Sequence, residues 1–161
     1  MILNPRKLIY ITAIRKCYIS MSYYLYFDGG SRGNPGIAGS GAVLYDNNMN
    51  ELDSTWFYCG DDKTNNFAEY TGLLKGIEMV LAKGIDTAKV VVRGDSLLVI
   101  KQCKGEFKVR EPTLIILREK IKKMVPTKSN VADAFAKFEH VPRAQNKRAD
   151  ELSNIAMDKK N

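Results

Sequence analysis

Tyr23-Tyr24-Leu25-Tyr26-Phe27-Asp28-Gly29-Gly30-Ser31-Arg32-Gly33-Asn34-Pro35-Gly36 decides the fold of this chain. Its first half is a run of aromatic and aliphatic residues, suited to a strand buried on both faces. The run ends on a carboxylate, Asp28, and the chain then turns Gly-rich. Glycines there allow positive φ and bring bare backbone amides close to whatever lies beyond the strand end. Asp28 has two readings. It caps the turn through its side chain, or it helps to hold a hard cation or a phosphate. No Gly-Lys-Ser/Thr follows the glycines, which excludes a phosphate-cradling P-loop.

The 161 residues point to one domain, long enough to bury roughly two-thirds of its unfolded surface. At 45% apolar and 27% charged, the composition is that of an ordinary soluble protein. No 18-residue apolar span is present, so no membrane partner is expected. Of the net charge of +7, residues 1–20 supply +4 through Arg6, Lys7, Arg15 and Lys16, leaving +3 for the rest. A polyanionic partner is compatible with this balance. Cys17, Cys59 and Cys103 match no metal or redox spacing, and an intracellular, reducing setting fits them. Cytoplasm, nucleus or a replication site all satisfy that condition. Residues 1–20 read as a basic extension, either disordered or an organelle-targeting segment, with the domain proper over 21–161.

From the glycine turn the chain reads in order. Gly39–Tyr45 and the aromatic Glu51–Gly60 make a meander with the first strand. Asp61–Asn66 offers helix caps, and Phe67, Tyr70, Leu74, Ile77 and Leu81 then recur at helical spacing until Gly84. Glu69 falls in the opening turn, one row off this apolar stripe. Lys89–Arg93 is a Val-rich buried strand ending in Gly94-Asp95-Ser96, which opens a helix to Cys103. Pro112 starts another helix that Pro126 stops. A last strand lies within Val131–Val141, and a last helix begins near Gln145 with Asn146, Asp150 and Asn154 at i, i+4 and i+8. The order βββαβααβα describes one α/β domain with a mixed sheet.

Asp28 and Asp95 at strand ends, with Glu69 and Asp150 in opening helical turns, stand apart as acids in a single α/β sheet. Sites in such sheets gather beyond the carboxyl ends of strands. Clustered carboxylates repel unless protonated or neutralised by cations, and all-oxygen ligands favour Mg²⁺ or Mn²⁺ over zinc. Two such ions roughly 3.5–4 Å apart activate water and stabilise the leaving oxygen of a phosphodiester.

Asp28-Gly-Gly-Ser-Arg-Gly-Asn-Pro-Gly36, Thr64-Asn-Asn-Phe-Ala-Glu69-Tyr70, Gly94-Asp95-Ser96 and His140-Val-Pro-Arg-Ala-Gln-Asn146-Lys-Arg-Ala-Asp150 resemble the four motifs of type 1 ribonuclease H. They come in that family's order and span residues 22–157. The resemblance implies a ribonuclease H-like α/β fold, a five-stranded mixed sheet flanked by helices. It also implies an endonuclease that cuts the RNA strand of RNA–DNA hybrids, leaving 3′-hydroxyl and 5′-phosphate ends. Asp28, Glu69, Asp95 and Asp150 would be the catalytic and metal-binding carboxylates for two Mg²⁺ or Mn²⁺ ions, with Asp28 bridging both. Asn34, Asn65 and Asn66, the backbone at Gly29 and Gly30, and Asn146 of the fourth motif would meet the hybrid. The minor groove there displays the 2′-hydroxyls that mark RNA.

Three departures qualify the resemblance. Leu97 stands two residues after Asp95, where many bacterial relatives have a polar substrate contact. Their basic protrusion is missing, leaving only Lys101, Lys104, Lys108 and Arg110 in the corresponding connection. A gapless alignment equates the sole histidine, His140, with a mobile catalytic histidine. The alternative makes Phe138–Val141 the last strand, His140 structural, and Arg143 the residue nearest the scissile phosphate. The short pattern is more similar to the archaeal-type and reverse-transcriptase-like branch, some members of which also cut double-stranded RNA. A monomer suffices for this function. Other readings are a non-catalytic hybrid- or RNA-binding module, or another nuclease of the superfamily.

Overall fold

The computed structural model describes residues 22–161, so the expected extension over residues 1–20 lies outside the described residues. The elements are β1 (Tyr23–Arg32), β2 (Gly36–Tyr45), β3 (Glu51–Lys63), α1 (Asn65–Ala82), β4 (Val90–Gly94), α2 (Leu97–Cys103), α3 (Pro112–Met124), β5 (Lys137–His140) and α4 (Lys147–Lys159). This is the order the sequence predicts. The five strands form one sheet, β3-β2-β1-β4-β5. β1 pairs antiparallel with β2 and parallel with β4, and β4 pairs parallel with β5.

Alternation along β1 sends Leu25 and Phe27 to one face of the sheet and Tyr24 and Tyr26 to the other. The first face carries the main core, where Phe27, Leu44 and Val92 meet Tyr70, Leu73 and Ile77 of α1, Ile100 of α2 and Ile121 of α3. The second face is covered by α4 through Ala149 and Leu152 over Tyr26 and Val43. Both α1 and α4 lie unusually close to the sheet. A Cβ added at Gly72 of α1 would stand 2.4 Å from the Asp28 carbonyl oxygen, and one at Gly41 of β2 would stand 2.4 Å from that of Ala149. Ser40 Oγ, buried, adds a tie by donating to the Ala68 carbonyl at 2.6 Å.

Two local expectations are corrected. β1 does not end at Asp28 but runs on to Arg32, because β2 supplies partners for Gly29 through Arg32. Positive φ in the stretch falls at Gly33, inside the turn, at +87°, and not at Gly29 or Gly30. Second, α1 is capped by Thr64, whose hydroxyl accepts from the Phe67 amide at 3.2 Å, so Glu69 sits in the second turn. An interaction with the helix N-terminus therefore does not account for its burial. His140 ends β5, in agreement with the strand reading of Phe138–Val141.

Candidate active site

The parallel register of β1 and β4 brings the first two acids together. Phe27 lies beside Gly94, so the next residues on each chain, Asp28 and Asp95, are neighbours. Asp28 falls on the alternation of Tyr24 and Tyr26, toward α4. There Ser153 Oγ lies 3.2 Å from Asp28 Oδ2 and 2.8 Å from the Asp150 carbonyl. Gly29 faces α1. A Cβ at Gly29 would stand 2.1 Å from the Ala68 carbonyl carbon and 2.2 Å from the Glu69 nitrogen, so only glycine lets α1 bring Glu69 in.

Asp28, Glu69 and Asp95 each offer a carboxylate oxygen, and these oxygens lie within 4.8 Å of one another. Asp150, from the first turn of α4, faces the same cavity of about 600 Å³. Unit charges at the 4.8 Å separation repel by roughly 3 kcal/mol at an effective dielectric of about 20. Burial, reinforced by Asp95 and Asp150, raises the Asp28 carboxyl from its ordinary 3.8 to about 7. Burial, then Asp28 and Asp95, hold Glu69 well above the usual carboxylate range. Among the described residues, Glu69 Oε2 is buried without a hydrogen-bond partner. An orphaned buried oxygen beside two more carboxylates is a donor set suited to a hard divalent cation, and Asp28, Glu69 and Asp95 fit that role, with Asp150 lining the same cavity.

The other expected site residues separate into three groups. Gly29, Gly30, Asn65, Asn66 and Arg143 line the cavity with the acids. Arg143, with 78% of its side chain exposed, donates to Asp150 Oδ1 at 3.0 Å. Asn34 is exposed but off the cavity wall; its Oδ1 accepts from the Asn65 amide at 3.0 Å, while Asn65 Oδ1 accepts from the Ser31 amide at 2.7 Å. The two asparagines thus clamp the β1–β2 turn to the start of α1. Asn146 is a correction. It is 1% exposed, and its Nδ2 donates to the Phe27 carbonyl at 2.9 Å, so it ties α4 to β1 and presents no surface to a substrate. His140 does not line the cavity; its Nε2 lies 3.2 Å from the Asp95 carbonyl oxygen.

Sequence reasoning missed Ser153, although its place three residues after Asp150 on the α4 face holding Ala149 and Ala156 was there to be read. It also missed Arg32, which lines the cavity and reaches α4 through Asp158 Oδ1 at 2.6 Å and Asn154 Oδ1 at 3.3 Å.

Comparison with known proteins agrees with this arrangement. The family described as Reverse transcriptase-like matches residues 26–156. The bifunctional protein Rv2228c of Mycobacterium tuberculosis is 38% identical over 140 residues, covering 86% of this chain and 36% of that protein. The chain thus spans about a third of that relative's length. Ribonuclease H of Ruthia magnifica is 32% identical over 143 residues, covering 84% of this chain and 94% of that protein. Among solved structures, LC11-RNase H1 in complex with an RNA/DNA hybrid is 40% identical, with a TM-score of 0.75 over 86% of this chain and 98% of that one. With four acids gathered at one end of a β3-β2-β1-β4-β5 sheet and this likeness over most of its length, the chain belongs to the ribonuclease H family.

Proposed function

We propose that the chain is an endonuclease that hydrolyses the RNA strand of RNA–DNA hybrids, leaving 3′-hydroxyl and 5′-phosphate ends. One observation carries the reading: Asp28, Glu69 and Asp95 converge within 4.8 Å with Glu69 Oε2 unpartnered. Asp28, Glu69, Asp95 and Asp150 would hold two Mg²⁺ or Mn²⁺ ions. When bound, those ions neutralise the carboxylates, activate water and stabilise the leaving oxygen. Ser153 orients Asp28, and Asn146 holds the β1 backbone beneath it through Phe27. Gly29, Gly30, Asn65 and Asn66 bind the sugar edge of the hybrid, where amides and backbone groups pair with 2′-hydroxyls without adding charge. Arg143 meets the phosphate next to the cleaved bond, exchanging its contact with Asp150 for it. The domain comprises residues 21–161 and works as a monomer, with residues 1–20 an extension.

The test uses one labelled RNA strand annealed to DNA, annealed to RNA, or left single-stranded, with Mg²⁺, Mn²⁺ or chelator, and Asp28→Asn as control. Metal-dependent cutting confined to the hybrid, and lost in the variant, is expected. Equal cutting of double-stranded RNA would widen the substrate class. Binding of the hybrid with no cutting under either metal would leave a binding module and end the catalytic reading.

A further inference from the structure

Arg32 lines the acidic cavity, yet neither the cation cluster nor the sugar-edge contacts use it. Along β1 it stands four residues beyond Asp28, about 13 Å away at roughly 3.3 Å per residue. Alternation keeps Asp28, Gly30 and Arg32 on one face of the strand, and α4 meets them in turn. Ser153 Oγ lies 3.2 Å from Asp28 Oδ2, a Cβ at Gly30 would meet Met157 Cε at 3.4 Å, and Arg32 reaches Asp158 and Asn154. β2 pairs Ile37 with Arg32, so the backbone beneath the guanidinium is fixed.

Charge, donors and exposure all distinguish this side chain. Among the described residues, the cavity is lined by four acids, Asp28, Glu69, Asp95 and Asp150, and by two cations, Arg32 and Arg143. The cations stand at opposite ends of one row on α4, formed by Asp150, Asn154 and Asp158 at i, i+4 and i+8. Arg143 donates to Asp150 Oδ1 at 3.0 Å, and Asn154 Nδ2 donates to the Asp150 carbonyl at 2.9 Å. Arg32 donates to Asn154 Oδ1 at 3.3 Å and to Asp158 Oδ1 at 2.6 Å. A guanidinium carries five N–H donors in a rigid fork, and these two bonds occupy only part of it. As a strut the Arg32–Asp158 pair is weak, since its side chains are 46% and 63% exposed and water screens the charges. The pair thus orients the fork at the cavity rim and is given up easily. The opposite wall, toward α1, carries the amides of Asn65 and Asn66.

We propose that Arg32 binds a backbone phosphate of the hybrid, at the end of the cavity away from Arg143, exchanging Asp158 for it. The inference rests on the hybrid reading and adds an orientation to it. Sugar edges lie against the α1 wall, and phosphates run along α4 from Arg143 to Arg32. A planar fork suits a phosphate, which accepts two parallel N–H bonds from it. Standing well beyond the reacting phosphate, Arg32 holds the strand and takes no part in the chemical step.

The experiment measures binding of a fluorescent RNA–DNA hybrid by anisotropy in Mg²⁺, over about 50–200 mM KCl, to the full chain carrying Asp28→Asn to prevent turnover. Losing one phosphate contact lowers the slope of log affinity against log salt by about 0.9, equivalent to about eightfold in affinity at about 0.1 M. Arg32→Ala is expected to show both changes, with Tm within about 2 °C of its parent. Arg32→Lys should keep the slope, since the charge remains, and bind with intermediate affinity. Asp158→Ala, which frees the guanidinium, should tighten binding, whereas a merely structural pair predicts the same loss from either side. With Asp28 restored, Arg32→Ala should raise KM for the hybrid and leave kcat within about twofold. An unchanged salt slope in Arg32→Ala, equal weakening by Asp158→Ala, or a loss confined to kcat would each overturn the assignment and leave the hybrid reading standing. No hybrid binding by the parent would end the hybrid reading itself, and this assignment with it.

Discussion

Asp28→Asn should make the metal-free protein more stable, and the gain should depend on pH in a defined way. Asp28 is buried, and in the folded chain its carboxyl is raised from 3.8 to about 7, first by burial and then by Asp95 and Asp150. An acid whose folded pKa lies above its unfolded value binds protons more readily when folded. Its ionisation therefore leaves the fold unharmed below pH 3.8, destabilises it progressively as pH rises toward about 7, and has a constant effect above that. At about 1.36 kcal/mol per pH unit, the full span corresponds to about 4 kcal/mol. Asp95 and Asp150 are only partly buried and can swing toward water, which relieves part of the repulsion and sets a range of about 2–4 kcal/mol. Asparagine keeps the size of the side chain and an oxygen for Ser153, while its amide can donate to Glu69.

Thermal unfolding followed by circular dichroism in chelator measures the effect. At about 3 °C per kcal/mol for a domain of this size, Asp28→Asn should melt about 6–12 °C above the wild type at pH 8 and within about 2 °C of it at pH 4. Saturating Mg²⁺ or Mn²⁺ should close most of the gap, since a cation at about 100 times its Kd stabilises the wild type by roughly 2.7 kcal/mol and finds a depleted site in the variant. A variant no more stable than the wild type at pH 8 in chelator, or a gain that is the same at pH 4, would refute the account of a charge-strained cluster.

Gly29→Ala should unfold or severely destabilise the protein, by more than about 3 kcal/mol in urea denaturation, because its Cβ would lie 2.1 Å from the Ala68 carbonyl carbon. Gly30→Ala, whose Cβ meets only Met157 Cε at 3.4 Å, should change stability by less than about 1 kcal/mol. Arg143→Ala should lower kcat/KM for the hybrid at least about tenfold while shifting Tm by less than about 2 °C, since its pair with Asp150 is mostly exposed. His140→Ala, which removes a side chain off the cavity wall, should lower kcat/KM less than Arg143→Ala does. Tyr70→Phe should cost about 1 kcal/mol, because it strands buried Gln102 Oε1, now 3.0 Å from the Tyr70 hydroxyl.

Carboxylates abutting apolar runs are visible in a sequence, and so Asp28, Glu69, Asp95 and Asp150 were legible, as was the order of the elements that carry them. The motif in which Asn146 sits was legible too, but a motif does not say which of its side chains face the groove and which face the wall; Asn146 turned out to bond Phe27. Close approach has no signature of its own. Gly29 reads like a turn glycine, yet its φ is unremarkable, and what demands glycine is the α1 backbone 2.1 Å from its absent Cβ. The same long-range partner explains why β1 runs past the point where local propensity would stop it: Ser40, Gly39, Ala38 and Ile37 of β2 complete the ladder opposite Gly29–Arg32. That continuation bears directly on the chemistry. With paired strand on both sides of it, Asp28 is held on a backbone that cannot yield. The repulsion it shares with Glu69 and Asp95 is thus borne by the cluster until cations neutralise it.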